Sequence, residues 1–331
     1  MEACLLQPRP RGAATEGRRY CTCRACAILY SMDSPQTASE TWTVARLLRW
    51  TQAYFSEHKL DSPRLCAEIL LAHVLGCERI ELYTRHALIP DDVRRATYRE
   101  LVRQAAAGRP IAYLVGEKEF FSLRFEVTPD VLIPRPETEV LVERVIHLAR
   151  EAHSPIRSVL DVGTGSGCIA VSLAKNLPDV TIFASDIAPA ALEVARRNAR
   201  RHGVLERIEF RLGDLFAPWV GRAFDVIVSN PPYIARREAA ALPANVREHE
   251  PHRALLAGED GLEVIRRLVV ESAAHLAPGG RLLMEVAWNQ AAAVNRMLRE
   301  CGWEEIVTHR DGLGHERVVQ ARRRAAETQV A

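Results

Sequence analysis

The chain has 331 residues, of which 48% are hydrophobic and 26% charged, with a formal net charge of +2. That length suits two domains, or one domain with a sizeable appendage, and the composition is that of an ordinary globular protein. So small a net charge gives no compositional sign of nucleic-acid binding, and no apolar run approaches the roughly 18 residues a membrane span needs.

Residues 1–38 carry Pro, Gly, Arg and Ser without sustained periodicity and are expected to form a disordered extension. Met32 offers a second, more conventional start. The same arginine-rich stretch also reads as a transit peptide, with Glu2 and Glu16 against it. Cys4, Cys21, Cys23 and Cys26 crowd this segment, but no second Cys-x-x-Cys or His pair accompanies them, so no metal site is expected. Cys66, Cys77, Cys168 and Cys301 read as small buried apolar residues in a reducing compartment, which points to the cytoplasm. Of the 44 basic residues only Lys59, Lys118 and Lys175 are lysines, a bias that fits a GC-rich bacterial coding sequence better than a binding device. The basic runs "ARRNARRHG" and "ARRR" read as solvated helix faces and a loose tail.

From Thr41 to about Gly108 the pattern is helical. "TVARLLRWTQAYF" spaces its apolar residues three and four apart, and in "SPRLCAEILLAHVLG" Ser62 is placed to cap, Pro63 to start and Gly76 to end a helix. "DDVRRATYRELVRQAAAG" makes a further helix, so residues 39–115 form a small helical bundle with no catalytic constellation of its own. In 116–138, Phe120, Leu123, Phe125 and Val127 suggest extended structure and the prolines break helices, which predicts a hairpin linker.

From residue 139 to 323 strands and helices largely alternate. The strands are "SVLDVG", "TIFASD", "IEFRLGD", "FDVIVSN", "RLLMEVA", "EEIVTHR" and "ERVVQAR", with helices at about 168–176, 189–201, 261–276 and 290–300. Helical crossovers between short apolar strands predict a seven-stranded, mostly parallel sheet covered on both faces. "DGLGH" is too short for a crossover, so the last strand is predicted to run antiparallel to its neighbour. Residues 324–331 are a tail.

"LDVGTGSGCIA" follows the first strand and opens the first helix, where glycines let the backbone turn and approach a ligand. Asp186 ends the second strand and can accept from both ribose hydroxyls of a nucleoside. Asp214 ends the third and can reach an adenine amino group while Leu215 covers the ring. Gly163, Gly165 and Gly167 alternate, with Thr164 and Ser166 between them, where a dinucleotide fingerprint would read G-x-G-x-x-G. The alternation favours S-adenosylmethionine, in which a sulfonium with an amino-acid tail replaces the pyrophosphate.

The fourth strand stops at Asn230, before Pro231, Pro232 and Tyr233. The Asn230 side-chain oxygen and the Pro231 carbonyl offer two acceptors suited to a planar NH₂ group. Tandem prolines hold them rigidly and bring no competing N–H, while Tyr233 can stack on a flat amide or base.

Together these stretches resemble a known family, the peptide-chain-release-factor glutamine methyltransferases of the HemK/PrmC type. The likeness runs from about Trp42 to Arg322 and includes "GRPIAYLVGEKEFFSLRFEVTPDVLIPRPETE", "LDVGTGSGCIA", "IVSNPPYI", "EHEPHRALLAGEDGLEV" and "HRDGLGHERVV" in that order. It implies a Rossmann-like class I methyltransferase that uses S-adenosyl-L-methionine, releases S-adenosyl-L-homocysteine, and methylates the glutamine amide of the Gly-Gly-Gln motif in class I release factors. The family's cofactor positions fall on Gly163 through Gly167, Asp186, Asp214 and Leu215, and its amide clamp on Asn230, Pro231, Pro232 and Tyr233. The resemblance implies that the helical domain docks the release factor. It also puts Arg135 and Glu137 at the cleft, as lining residues or as a structural ion pair. A monomer without nucleic-acid or membrane partners is expected. Ala287 stands where a glycine is expected.

Two other classes share some of these features. "NPPY" also resembles the signature of enzymes that methylate DNA or RNA amino groups, and a similar branch methylates a glutamine of a ribosomal protein. A non-catalytic cofactor-binding assembly factor is disfavoured, because Asn230 and the glycine loop are both intact.

Overall fold

A computed structural model describes residues 41–151 and 155–324. The expected extension, its cysteine cluster and nearly all of the tail lie outside the described residues. The chain divides into two compact units after Ala107, close to Gly108, where the helical pattern was expected to end.

The first unit contains α1 (Val44–Glu57), α2 (Pro63–Leu75), the single turn α3 (Glu81–Thr84) and α4 (Asp92–Ala106). Side-chain caps start two of them: Thr43 Oγ1 accepts from Arg46 N at 3.3 Å, and Asp91 Oδ1 from Arg94 N at 2.8 Å. Leu47, Phe55, Leu70, Leu71 and Val102 are buried, and the Tyr98 hydroxyl donates to Thr51 Oγ1 at 2.9 Å, tying α4 to α1. Ser62 does precede Pro63, but it makes no capping bond. Its backbone is left-handed (φ 50, ψ 56), away from the extended geometry that presents a hydroxyl to the first turn. Gly76 ends α2 in the left-handed conformation, as predicted.

The second unit opens with α5 (Ile111–Val115) and the antiparallel hairpin of β1 (Glu117–Phe120) and β2 (Leu123–Glu126). The two turn residues, Phe121 and Ser122, both have positive φ (50 and 60), the twist a two-residue hairpin demands. Helix α6 (Glu139–Glu151) leads into a seven-stranded sheet built from β3 (Ser158–Val162), β4 (Thr181–Asp186), β5 (Ile208–Leu212), β6 (Phe224–Ser229), β7 (Leu276–Glu285), β8 (Glu304–Arg310) and β9 (Glu316–Arg322). The strand order is β5-β4-β3-β6-β7-β9-β8. All neighbours are parallel except β9, which is antiparallel to β7 and, as its short connection requires, to β8.

Between the strands lie α7 (Cys168–Asn176), α8 (Pro189–Arg201), α9 (Ala244–His249), α10 (Glu263–Glu271) and α11 (Ala291–Glu300). Successive strand residues point to opposite faces. Val159, Val226, Val228 and Leu283 therefore enter one core, while Leu160, Ile227, Leu282 and Met284 enter the other. Both faces are apolar, which is why these strands read as continuous hydrophobic runs.

Several expectations are corrected in detail. β5 ends at Leu212, so Asp214 lies two positions beyond the strand and not at its end. Only Cys168 of the four scattered cysteines is buried; Cys301 is exposed because it follows the last turn of α11. The run 195–203 is more than a solvated face. Arg197 pairs with Glu126 and Arg201 with Glu117, while the buried Asn198 accepts from Glu126 N at 2.7 Å and donates to Ser166 O at 2.8 Å. Helix α8 thereby binds the hairpin to the loop after β3.

Gly261 is left-handed (φ +76), and a Cβ there would stand 2.4 Å from the Tyr233 carbonyl oxygen and 3.0 Å from Ala235 N. Gly261→Ala is therefore expected to cost at least about 1–2 kcal/mol for the left-handed backbone alone, seen as a Tm lower by at least about 2–4 °C. An unchanged Tm would show that the segment at Tyr233 yields freely.

Candidate active site

Strand β3 lies between β4 and β6, with Val162 opposite Ser185 on one side and Ser229 on the other. The chain moves outward through β4 and β5 and then returns past β3 to β6. This reversal leaves a crevice at the carboxyl ends of the strands, the place where open α/β sheets bind ligands. A cleft of about 380 Å³ opens there, walled by the loops after β3, β4, β5 and β6.

The loop after β3 is fixed by backbone bonds. Gly163 N and Thr164 N donate to Ser185 O at 2.8 and 3.0 Å, and Gly167 N to Thr164 O at 2.8 Å. Gly163, Thr164, Gly165 and Ser166 wall the cleft. Gly167 does not. It is left-handed at the start of α7, and a Cβ there would meet the Ala195 Cβ at 3.0 Å, so this glycine serves helix packing.

Asp186 also walls the cleft. Its Oδ2 accepts from Gly165 N and its Oδ1 from Ala188 N, both at 2.9 Å, which leaves each oxygen a second lone pair. Burial holds its carboxyl above the usual range, against the pull of these N–H bonds. Asp214 and Leu215 line the same cleft, though Asp214 Oδ2 is already engaged by Arg267 Nη2 at 2.9 Å. Leu215 holds a left-handed backbone (φ 44), a strain that for a branched residue costs about 1–3 kcal/mol and gathers at ligand sites.

The second oxygen of Asp161, beneath the glycine loop, was not expected as a site feature. Oδ2 accepts from Thr164 Oγ1 at 2.7 Å and from Ala170 N at 3.2 Å, whereas Oδ1 is buried without a partner. Burial, opposed by the Thr164 hydroxyl and the Ala170 N–H, pushes this carboxyl up to about 7. The buried Ser166 Oγ likewise lacks a partner.

Asn230, Pro231 and Pro232 line the same cleft. Asn230 Nδ2 donates to Thr138 Oγ1 at 3.0 Å, which turns the side-chain oxygen the other way. Tyr233 is not a wall residue. Its ring packs against the core, its hydroxyl donates to Glu285 Oε1 at 3.3 Å, and its carbonyl accepts from Gln290 Nε2 at 2.9 Å. It braces the segment instead of offering a stacking face. Ile234 N donates to Leu255 O, and Ala257 N to Ile234 O, both at 2.9 Å, fastening the motif to the loop that carries Arg253 and Leu256 into the cleft. Arg135 both lines the cleft and pairs with Glu250, whose Oε2 also accepts from Ile133 N at 3.2 Å.

The sequence reading singled out neither Thr138, which lines the cleft, nor Asp161, Glu250 and Glu285, which bond to Thr164, Arg135 and Tyr233 around it. For Asp161 and Glu285 a signal existed: each is a carboxylate within an apolar strand run, near its carboxyl end. Among the described residues no group of His, Cys, Asp and Glu is placed to hold a metal ion, and no helix is long and apolar enough to cross a membrane.

Known proteins match over both units. The family model of the PrmC N-terminal domain matches residues 46–116, and that of the methyltransferase small domain residues 137–247. A release factor glutamine methyltransferase of Rhodopirellula baltica is 46% identical over 290 residues, covering 86% of this chain and 98% of that protein. One from Geobacter sulfurreducens is 42% identical over 285 residues, with the same coverage of 86% and 98%. The crystal structure of a release-factor-specific protein-(glutamine-N5) methyltransferase from Alicyclobacillus acidocaldarius is 34% identical, covers 60% of this chain and 99% of that one, and has a TM-score of 0.37. Identity of this size over nearly the whole length of its relatives means that the chain belongs to the release factor glutamine methyltransferase family.

Proposed function

We propose that this enzyme transfers a methyl group from S-adenosyl-L-methionine to the side-chain amide nitrogen of the glutamine in the Gly-Gly-Gln motif of class I peptide chain release factors. The observation that carries the reading is the Asn230 amide, held by Thr138 through its nitrogen so that its oxygen is left to accept, at the edge of a cleft shared with the glycine loop. Release factors enter the reading through the names of the relatives.

The residues fit the cofactor. A Cβ at Gly163 or Gly165 would meet nothing within 4 Å, so these glycines leave room beside the loop. The unpartnered, buried Asp161 Oδ1 and the spare lone pairs of Asp186 are acceptors waiting for donors. In this reading Asp161 faces the ammonium of the amino-acid tail, Asp186 accepts from the ribose hydroxyls, and Asp214 and Leu215 flank the adenine. When bound, S-adenosylmethionine supplies an electrophilic methyl group on a sulfonium.

An amide nitrogen is a poor nucleophile because its lone pair is shared with the carbonyl, as the rotation barrier of about 18–20 kcal/mol indicates. Asn230 Oδ1 and the Pro231 carbonyl accept its two hydrogens and hold the nitrogen in one place. Each such bond contributes only about 0.5–1.5 kcal/mol, so most of the acceleration is assigned to alignment, for which stiff prolines are the suitable backbone.

Three arms run in parallel test the substrate: enzyme and labelled S-adenosylmethionine with unmethylated release factor, with ribosomal protein, and with DNA. Label is expected on the release-factor glutamine, and label on DNA alone would overturn the assignment. Asn230→Ala is expected to lower kcat by about 100-fold or more with S-adenosylhomocysteine affinity nearly intact in calorimetry. Loss of both together would make the residue structural.

The role of Asp161 has a pH signature. Its carboxyl, at about 7 in the folded chain, is protonated over a range where an ordinary Asp is ionised, and a neighbouring ammonium favours the ionised form. Product affinity is therefore expected to rise with pH up to about 7 and level off above it. Asp161→Asn is expected to flatten that dependence, and an unchanged slope in the variant would remove Asp161 from the cofactor site.

A further inference from the structure

Of the chain's five tryptophans only Trp288 is exposed, at 64%. It stands in the tight turn after β7, and that turn closes without its side chain: Gln290 N donates to Ala287 O at 2.8 Å, and Gln290 Oε1 accepts from Ala287 N at 3.1 Å. Gln290 Nε2 donates to the Tyr233 carbonyl at 2.9 Å, so the turn is bonded to the segment that carries Asn230. Leu313, 78% exposed, stands likewise at the tip between β8 and β9. Asp311 builds that tip, its Oδ1 accepting from Leu313 N and His315 N, both at 3.0 Å. Only the backbone of Leu313 takes part. Single apolar side chains on a surface are ordinary, but these two large ones are carried by turns that fix them and do not need them. A smaller residue at either position would leave every one of these bonds in place.

Both turns lie at the sheet edge that carries the cleft. Met284 pairs with Ser229, so β7 ends beside β6 and its turn leaves the sheet next to the Asn230 segment. Val286 N donates to Arg317 O at 2.9 Å, and Arg310 pairs with Glu316, which puts the tip between β8 and β9 at the same edge. In the strand order β3-β6-β7-β9-β8, the glycine loop adjoins Asn230 on one side and the two turns follow on the other. A methyl donor at the glycine loop leaves that other side for whatever brings the acceptor nitrogen. A glutamine reaches Asn230 by its side chain alone, so the residues before or after it must pass over the rim. Neighbouring strands stand about 4.8 Å apart, which places the end of β9 about 10 Å from that of β6, a span of about three extended residues. Charge narrows the choice of occupant. Residues 286–290 carry none, and both arginines of the tip are paired, Arg310 with Glu316 and Arg317 with Asp311, each at 3.1 Å. A nucleic-acid strand calls for free cations, whereas tryptophan is enriched among the side chains that anchor protein contacts.

We propose that Trp288 and Leu313 form a docking ledge for the polypeptide that flanks the target glutamine, Trp288 meeting the residues next to it and Leu313 those about three positions away. The proposal rests on the reading of Asn230 as the clamp for a protein amide. The ledge touches no reacting atom. Its contacts are made equally before and during methyl transfer, so losing them raises KM and leaves kcat in place.

The test uses the full chain, saturating S-adenosylmethionine and unmethylated release factor. Trp288→Ala is expected to raise KM for the protein about 10-fold or more and Leu313→Asp about 3- to 10-fold, with kcat and Tm essentially those of the wild type. Trp288→Phe keeps a flat apolar ring and is expected to recover most of the affinity. Wild-type KM in Trp288→Ala, or a loss confined to kcat, would overturn the proposal. A second readout needs no turnover: acrylamide quenching of tryptophan fluorescence in the enzyme loaded with S-adenosylhomocysteine, taken as the difference between wild type and Trp288→Phe. That difference is expected to shrink when release factor is added, and an unchanged difference would overturn the ledge. The ledge and the release-factor assignment fail separately. Label on ribosomal protein in place of release factor removes the assignment, and the same KM and quenching measurements with that protein then decide the ledge. Label on release factor with wild-type KM in Trp288→Ala removes the ledge alone, and label on DNA alone removes both.

Discussion

The pairing of β3 with β6 is the constraint on which the site depends. These strands are far apart in the chain, yet Val162 and Ser229 lie side by side, and Ser229 Oγ donates to Val162 O at 2.7 Å just where both strands end. Parallel strands discharge their loops at one edge of the sheet, so the glycine loop and the Asn-Pro-Pro segment are delivered to one crevice. Two apolar cores, one on each face, fix that register, because a slip of one residue would exchange every side chain between faces. Chemistry at the edge is thus held by packing well below it.

On this frame four acids are gathered in and around the cleft. Asp161, Asp186, Glu250 and Glu285 come from four separate segments, and Asp161 and Glu285 are fully buried acids with an unpartnered oxygen each. Glu250 differs, because Arg135 compensates it and Ile133 N adds a further bond. The contrast is between a compensated and an uncompensated buried acid. An ion-paired acid joins two segments, whereas a buried acid with spare lone pairs near a strand end keeps the capacity to accept from a further donor.

Much of the frame was legible in the sequence, since buried parallel strands and amphipathic crossovers leave periodic apolar runs. The bounds of α7 and α8 fall where the pattern put them. What was not legible depended on tertiary partners. Ser62 has the composition of a cap but takes a left-handed backbone. Tyr233 reads as an exposed aromatic platform, yet its hydroxyl finds a carboxylate in the next strand and its ring turns to the core. Nothing local marks Thr138, whose significance is that Asn230 lies opposite it after folding. The glycine alternation was read as one device but divides into two. Gly163 and Gly165 face open space, while Gly167 admits the close approach of α8 at Ala195.

The stretch 116–138, read as a linker, shows why so long a motif accompanies so compact a site. Its hairpin end presents Glu126, whose N–H and carbonyl are both bonded to Asn198, the residue that also holds Ser166 O in the glycine loop. Its middle supplies Ile133 N and Arg135 to Glu250 and so anchors the segment that carries Arg253 into the cleft. Its last turn supplies Thr138 to Asn230. One continuous stretch therefore touches the glycine loop, the segment that carries Arg253 and the Asn-Pro-Pro segment in succession. A passive tether could vary freely in length and composition, because it would need only to span a distance. Three hydrogen-bonded stations at fixed intervals permit neither, since an insertion between any two would move one wall of the cleft relative to the others.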